Sequence, residues 1–241
     1  MAFLLVALFA PEPFVLISPG PVTNLLAGHI SLAGSNTDKA VAGSLFSTSV
    51  LVNSPNSKPN GIEVIRGWID GQISVVPWEA VYPKSQSAKN EISTSKKEML
   101  DSQGNAAIAA ANFLSNISPN SPALFKPNDV KIEMKDVSGP SAGLAFAIAI
   151  IAKFADPQLI AGRKIAVTGT ISQSGVVGAI GGINQKLNGA KSAGAEIFIA
   201  PKANCQDFTH LPTGLKLIAV ANLTQAIHAL ADSRIADNLH C

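Results

Sequence analysis

The sequence predicts an α/β protein, with a small mixed α/β region ahead of its main domain. Three observations carry this. In the second half, short β-branched runs alternate with helical patterns, as in a layered α/β domain. The chain is 47% hydrophobic and only 14% charged, which suits a packed core rather than extended disorder. Its 241 residues allow one large domain or two small ones.

The elements follow in order. MAFLLVALFA (1–10) is almost wholly apolar but is cut short by Pro11 and Pro13, so it falls well below the ~20 residues of a membrane span. It also lacks the basic start of a secretory signal. It reads either as the remnant of a membrane anchor or as an ordinary apolar element. FVLISPGPVTNLLAG places a Pro-Gly-Pro turn among β-branched residues. SLFSTSVLV (44–52) is a strand, and NSPNSKPNG (53–61) breaks the chain after it. GIEVIRGWI (61–69) starts with helical spacing, QISVVPWEAVYP (72–83) ends in prolines, and the polar KSQSAKNEISTSKK (84–97) reads as an exposed connection. EMLDSQGNAAIAAANFLSN (98–116) is the clearest helix of this half, with Met99, Ser102, Ala106, Ala110 and Phe113 in helical spacing.

The Pro/Asn/Ser-rich loop 117–129 is the expected boundary between an N-terminal mixed region (11–118) and the main domain (125–232), with a tail at 233–241. DVKIEMKDV (129–137) alternates like a strand. Leu144–Ala155 is an apolar helix too short to cross a bilayer and suited to a core. KIAVTGTI (164–171) and VVGAI (176–180) form a hairpin, GGINQKLNGAKSAGA opens a helix through glycines, and EIFIAP and LKLIAV are strands. NLTQAIHALAD is a closing helix capped by Asn222.

Charge excludes one large class of partner. Net charge is +2 and the lysines are scattered, without the basic block that tracks phosphates, so nucleic acid is not expected. His29, His210, His228 and His240 are far apart and form no metal pattern, so neither metal nor cofactor is expected. Cys205 and Cys241 match neither a zinc nor a redox spacing. They are read as two unpaired thiols, with a bridge between them as the alternative.

One stretch raises a chemical question: KDVSGPSAGLAFA, with Ser141 at the mouth of the apolar helix. Serine there is most simply an N-cap. A helix N-terminus also offers free N–H groups with partial positive charge, where a nucleophile and an oxyanion are both at home. A nucleophile needs a base, and no histidine pairs with Ser141 in a motif. Lysine is the alternative if burial lowers its pKa. Lys186, among Ile180, Gly181, Gly182, Ile183 and Leu187, has the most apolar setting of the chain's candidates. Its plain reading is an exposed helix lysine.

GPSAGLAFA, then TGTI, then GAIGGINQKLNGAKSAGAEIFIAPKAN, together resemble the proteolytic domain of the Lon protease family, over roughly residues 125–232. The resemblance implies that Ser141 and Lys186, 45 positions apart, are a catalytic Ser-Lys dyad and that Thr168 supports the lysine. It implies the fold of that proteolytic domain, which is of the ribosomal-protein-S5-domain-2-like type. It departs from the ATP-dependent pattern at Thr170, where glutamate is usual, and the chain has no GxxxxGK[ST] phosphate loop. FVLISPGPV, GWIDGQISVVPWEAVYP and MLDSQGNAAIAAA are similar to the membrane-anchored, extracytoplasmic Lon-like proteases of bacteria. By that likeness residues 1–10 are a truncated anchor at the cell membrane. The dozen residues at 117–129 leave no room for the PDZ domain common in that group.

The expected function is therefore an ATP-independent serine endopeptidase acting on unfolded or loosely folded proteins and peptides, without cofactor. The resemblance also implies a homo-oligomeric ring, commonly a hexamer. Two rivals stand beside it. One is a non-catalytic assembly module with a relic site, which would not react with a peptide boronate. The other is a small-molecule kinase of the same broad fold, which would bind nucleotide but which the lone serine of GPSAG disfavours.

Overall fold

The computed structural model describes residues 8–33, 39–82, 88–120, 122–134 and 137–241. β1 (Phe14–Asn24) runs antiparallel to its later neighbour, and β2 (Ile30–Leu32) joins a small separate sheet. β3 (Ser44–Val52) pairs with β1, whose register shifts between Pro19 and Val22. The Pro-Gly-Pro expected to turn the chain is thus a bulge within one long strand. Proline cannot donate to the ladder, so an extra residue is accommodated there without reversing the strand.

α1 (Gly61–Ile69) begins at a full capping box: Glu63 N–H donates to Asn60 Oδ1, and Asn60 N–H to Glu63 Oε2. β4 (Ser74–Pro77) edges the sheet beside β1, and α2 (Trp78–Val81) is one turn. α3 (Ala88–Ile117) is longer than the sequence pattern suggests. The part of the polar stretch 84–97 from Ala88 onward is its first turns, exposed at residues 92–94, 96 and 97, and the rest lies outside the described residues. Polarity there marks a solvated helix face rather than a loop, and packing of the Ala-rich C-terminal turns carries the helix.

β5 (Val130–Ile132) pairs with β2 and is shorter than the alternation over 129–137 implied; Lys135 and Asp136 lie outside the described residues. α4 (Gly143–Phe154) is buried along its whole length. It is not wholly apolar, since Lys153 is buried with Nζ 2.5 Å from the Ile30 carbonyl. β6 (Lys164–Val167) belongs to the main sheet, whereas β7 (Thr170–Ile171) pairs only with β8 (Val177–Gly178). The single strand read over 164–171 is therefore broken at Thr168-Gly169, where the chain leaves one sheet for another. α5 (Ile183–Ser192), β9 (Ile197–Pro201), β10 (Lys216–Val220), α6 (Leu223–Ala231) and α7 (Ser233–Ala236) complete the chain. Asn222 caps α6 as expected, accepting from Gln225 N–H.

The main sheet has the order β10-β9-β6-β3-β1-β4, parallel from β10 to β3 and antiparallel beyond. It takes three strands from before residue 118 and three from after 125, so the loop at 117–129 does not divide the sheet. Alternation sends Leu45, Ile165, Val167 and Ile199 to one face, into the core with α4 and α3. Phe46, Ala166 and Phe198 go to the other face, under Ile183 and Leu187 of α5. Mixed α/β is thus the observed class, in three layers.

Cys205 and Cys241 form a disulfide, with Cα atoms 5.1 Å apart, which corrects the reading of two unpaired thiols. The tail returns along the edge strand, where Ala219 N–H donates to the Leu239 carbonyl, and so carries Cys241 to the 3₁₀ turn Lys202–Asp207. Sequence spacing holds no trace of that return path. Closing a loop with a separation of 36 residues stabilises the fold by roughly 4 kcal/mol on a chain-entropy basis.

Candidate active site

The turn before α4 is held by the two neighbouring layers. Gly139 N–H donates to the Ser95 carbonyl at 2.9 Å, and Ser102 Oγ donates to the Pro140 carbonyl at 2.9 Å, both from α3. Gly169 N–H donates to the Ser141 carbonyl at 2.8 Å, while the Gly169 carbonyl accepts Leu144 N–H at 3.0 Å. The break between β6 and β7 thus clamps the serine from both sides. Gly143 must be glycine, because a Cβ there would lie 2.6 Å from Ser102 Oγ and 2.8 Å from Ile171 Cγ2.

Ser141 does not cap the helix. Ala142 occupies the N-cap position, and no side chain caps it. Ser141 Oγ instead lies 2.6 Å from Lys186 Nζ. The N–H groups of Gly143 and Leu144 are committed to the Pro140 and Gly169 carbonyls. Those of Ser141 and Ala142 make no hydrogen bond among the described residues and adjoin the nucleophile.

Lys186 comes from the opposite layer. Gly182 starts α5 in the left-handed region at φ 66°, and a Cβ there would sit 2.7 Å from Val50 Cγ1, so the second glycine of the GG pair fits where no larger residue would. Asn204 fixes the approach, accepting Ile180 N–H at 3.0 Å and donating to the Ile180 carbonyl at 2.9 Å. Gln185 Nε2 ties the helix to β4 through Ser74 Oγ at 2.7 Å. From this frame Lys186 reaches inward and is 2% exposed.

Thr168 completes the group. It is fully buried, its hydroxyl donates to the Ser141 carbonyl at 3.2 Å, and it accepts from Lys186 Nζ at 3.2 Å. The three residues singled out from sequence therefore meet, although they belong to a helix mouth, a strand end and a helix on the far face. Burial pushes the Lys186 ammonium down from 10.5 to about 8, with no acidic partner to hold the charge. About one molecule in ten then carries the neutral amine at pH 7.

Ser102 and Asn204 support the site without having been assigned a role from sequence. Ser102 had registered only as a position on the apolar stripe of α3. Asn204 shows no local signal, since its partner Ile180 lies 24 positions away. Among the described residues no cluster of His, Cys, Asp or Glu could hold a metal ion.

The profile of the Lon protease (S16) C-terminal proteolytic domain matches residues 74–232, about two thirds of the chain. The chain belongs to the Lon protease family. Among similar proteins, Lon protease 1 of Borreliella burgdorferi is 28% identical over 188 residues, covering 73% of this chain and 23% of that protein. Lon protease of Rickettsia typhi is 31% identical over 167 residues, covering 64% and 21%. Lon protease 2 of Bacillus subtilis is 34% identical over 108 residues, covering 43% and 19%. The chain thus spans less than a quarter of the length of these relatives. The family match begins at residue 74, ahead of the 117–129 loop, and takes in β4 but not β1 or β3 of the main sheet.

Proposed function

We propose that this chain is an ATP-independent serine endopeptidase in which Ser141 is the nucleophile and Lys186 the general base. The observation that carries the reading is the 2.6 Å approach of a buried lysine nitrogen to a serine hydroxyl at a helix mouth. Neutral Lys186 takes the Ser141 proton as Oγ bonds to the scissile carbonyl carbon. The oxyanion is held by the Ser141 and Ala142 N–H groups. As the tetrahedral species collapses, the C–N bond breaks and the Lys186 ammonium protonates the leaving amine. Water then attacks the acyl-enzyme, giving its proton to Lys186, and Ser141 is released with its own proton restored. Thr168 orients the amine through its two hydrogen bonds.

The proposed substrates are unfolded or loosely folded proteins, whose backbone is already open to the Ser141 hydroxyl. Assembly into a homo-oligomeric ring rests on family likeness, and light scattering of the purified chain tests it. Location at the outer face of a membrane draws on three features. The disulfide suits an oxidising compartment. Residues 1–10 are apolar. Ile65, Trp68 and Ile69 form an exposed apolar stripe on α1, and Phe14, shortly after the N-terminal segment, packs edge-on against Trp68 with ring centroids 5.9 Å apart. Among the described residues no helix is long and apolar enough to cross a membrane.

A peptide boronate tests the peptidase reading against a relic site. It should inhibit casein cleavage and bind wild type without nucleotide or metal, and should not bind Ser141→Ala. Equal binding to both proteins would remove Ser141 from the mechanism.

A further inference from the structure

The core holds an orphan polar group, on the strand next to the one that leads into Thr168. Among the described residues, Thr48 Oγ1 is the buried side-chain oxygen that makes no hydrogen bond, and Thr48 is 2% exposed. A buried hydroxyl without a partner is costly, so its presence asks for a reason. β3 and β6 pair in parallel, with Phe46 opposite Ala166 and Ser47 opposite Val167. One step further along that register brings Thr48 beside Thr168.

Both threonines point to the α5 side. Phe46 and Ala166, two residues earlier on each strand, pack with Ile183 and Leu187. Val50, two residues later on β3, meets the Gly182 position at the start of α5. Thr48 lies between these contacts, under the turn of α5 that carries Lys186. No charge intrudes. The same face presents Phe46, Thr48 and Val50 from β3, Ala166 and Thr168 from β6, Phe198 and Ala200 from β9, and Ser141 from the α4 mouth.

We propose that Thr48 is a positioning residue for the dyad, an acceptor for the one N–H of the Lys186 ammonium that neither Ser141 nor Thr168 takes up. A neutral lysine amine has two N–H groups, and an ammonium has three. In the resting geometry Nζ lies within hydrogen-bond distance of Ser141 Oγ and Thr168 Oγ1. That leaves one N–H of the ammonium in need of an oxygen in a dry site, and the strand register offers it the unused Thr48 hydroxyl, one strand over from Thr168.

This rests on the Ser141-Lys186 reading, and the test separates the two. Thr48→Val keeps the β-branched shape and deletes the acceptor. It should fold with a melting temperature equal to or above wild type and lower kcat about tenfold or more at unchanged KM. It should also move the rising limb of the pH–rate profile down by about one unit, because the ammonium loses a partner. Thr48→Ser should restore both kcat and the limb. A Thr48→Val enzyme with wild-type kcat and limb overturns the inference while leaving the dyad intact; Thr48→Ala serves the same comparison should the valine variant not fold. Full activity in Lys186→Ala would instead overturn the dyad reading itself.

Discussion

Two buried lysines sit on opposite sides of the same sheet, and the contrast between their surroundings explains the site. Lys153, in the last turn of α4, places Nζ against the Ile30 carbonyl. A carbonyl oxygen can accept a hydrogen bond but has no proton to give. Lys186, in the first turns of α5, places Nζ against the hydroxyls of Ser141 and Thr168. A hydroxyl can give a proton and leave a nucleophile behind. Burial is nearly equal, 5% exposure against 2%. Both lysines are buried, but only Lys186 is shown beside a serine hydroxyl that can give up a proton.

The sharpest way to break this contrast is to replace each lysine by methionine, which keeps the apolar stem. Lys186→Met should lower peptide turnover by about four orders of magnitude, the loss typical when a catalytic unit loses a member. Lys153→Met, which lies outside the dyad, should keep turnover within about twofold. Equal losses of activity in the two variants would erase the distinction.

Stability against pH sharpens it further. The folded-state value of Lys186, about 8, lies below the ordinary 10.5. Between those values the unfolded chain binds the proton more readily, so wild-type stability should rise with pH across this window. Below about 8 the burial cost is present in full. Lys186→Met should therefore be more stable than wild type at pH 7, by roughly 3 kcal/mol, with the advantage gone above about pH 10.5. Activity should climb through the same lower value, near pH 8, as the amine becomes neutral. Urea titrations and pH–rate profiles check the two halves, and a flat profile from pH 6 to 10 would separate Lys186 from the rate.

Smaller effects follow from the frame. Thr168→Val should lower kcat about ten- to a hundredfold, since it removes the hydroxyl that links Lys186 to the Ser141 carbonyl. Ser102→Ala should lower kcat only about threefold, because the Pro140 carbonyl still accepts Gly143 N–H. Steady-state kinetics with a fluorogenic peptide ranks both.

The same contrast shows why parts of the molecule were legible beforehand. Ser141, Thr168 and Lys186 lie in compact motifs in which Gly143 and Gly182 are required by local crowding, so the pattern survives in a single sequence. The long polar start of α3, the bulge in β1 and the Cys205–Cys241 bridge differ from the local pattern because tertiary packing sets them, and local composition does not report it. Ser102 and Asn204 were silent for the same reason: each acts on a carbonyl or amide distant in sequence. Lys153 hid inside an apolar helix and could be separated from Lys186 only by what it touches.

The most direct measurement is the initial rate of casein cleavage by wild type and by Ser141→Ala at pH 8.5, without nucleotide or metal. The account predicts steady cleavage by wild type and none above background for the variant, with the two proteins equally folded by circular dichroism. Cleavage by the folded variant at the wild-type rate would contradict it.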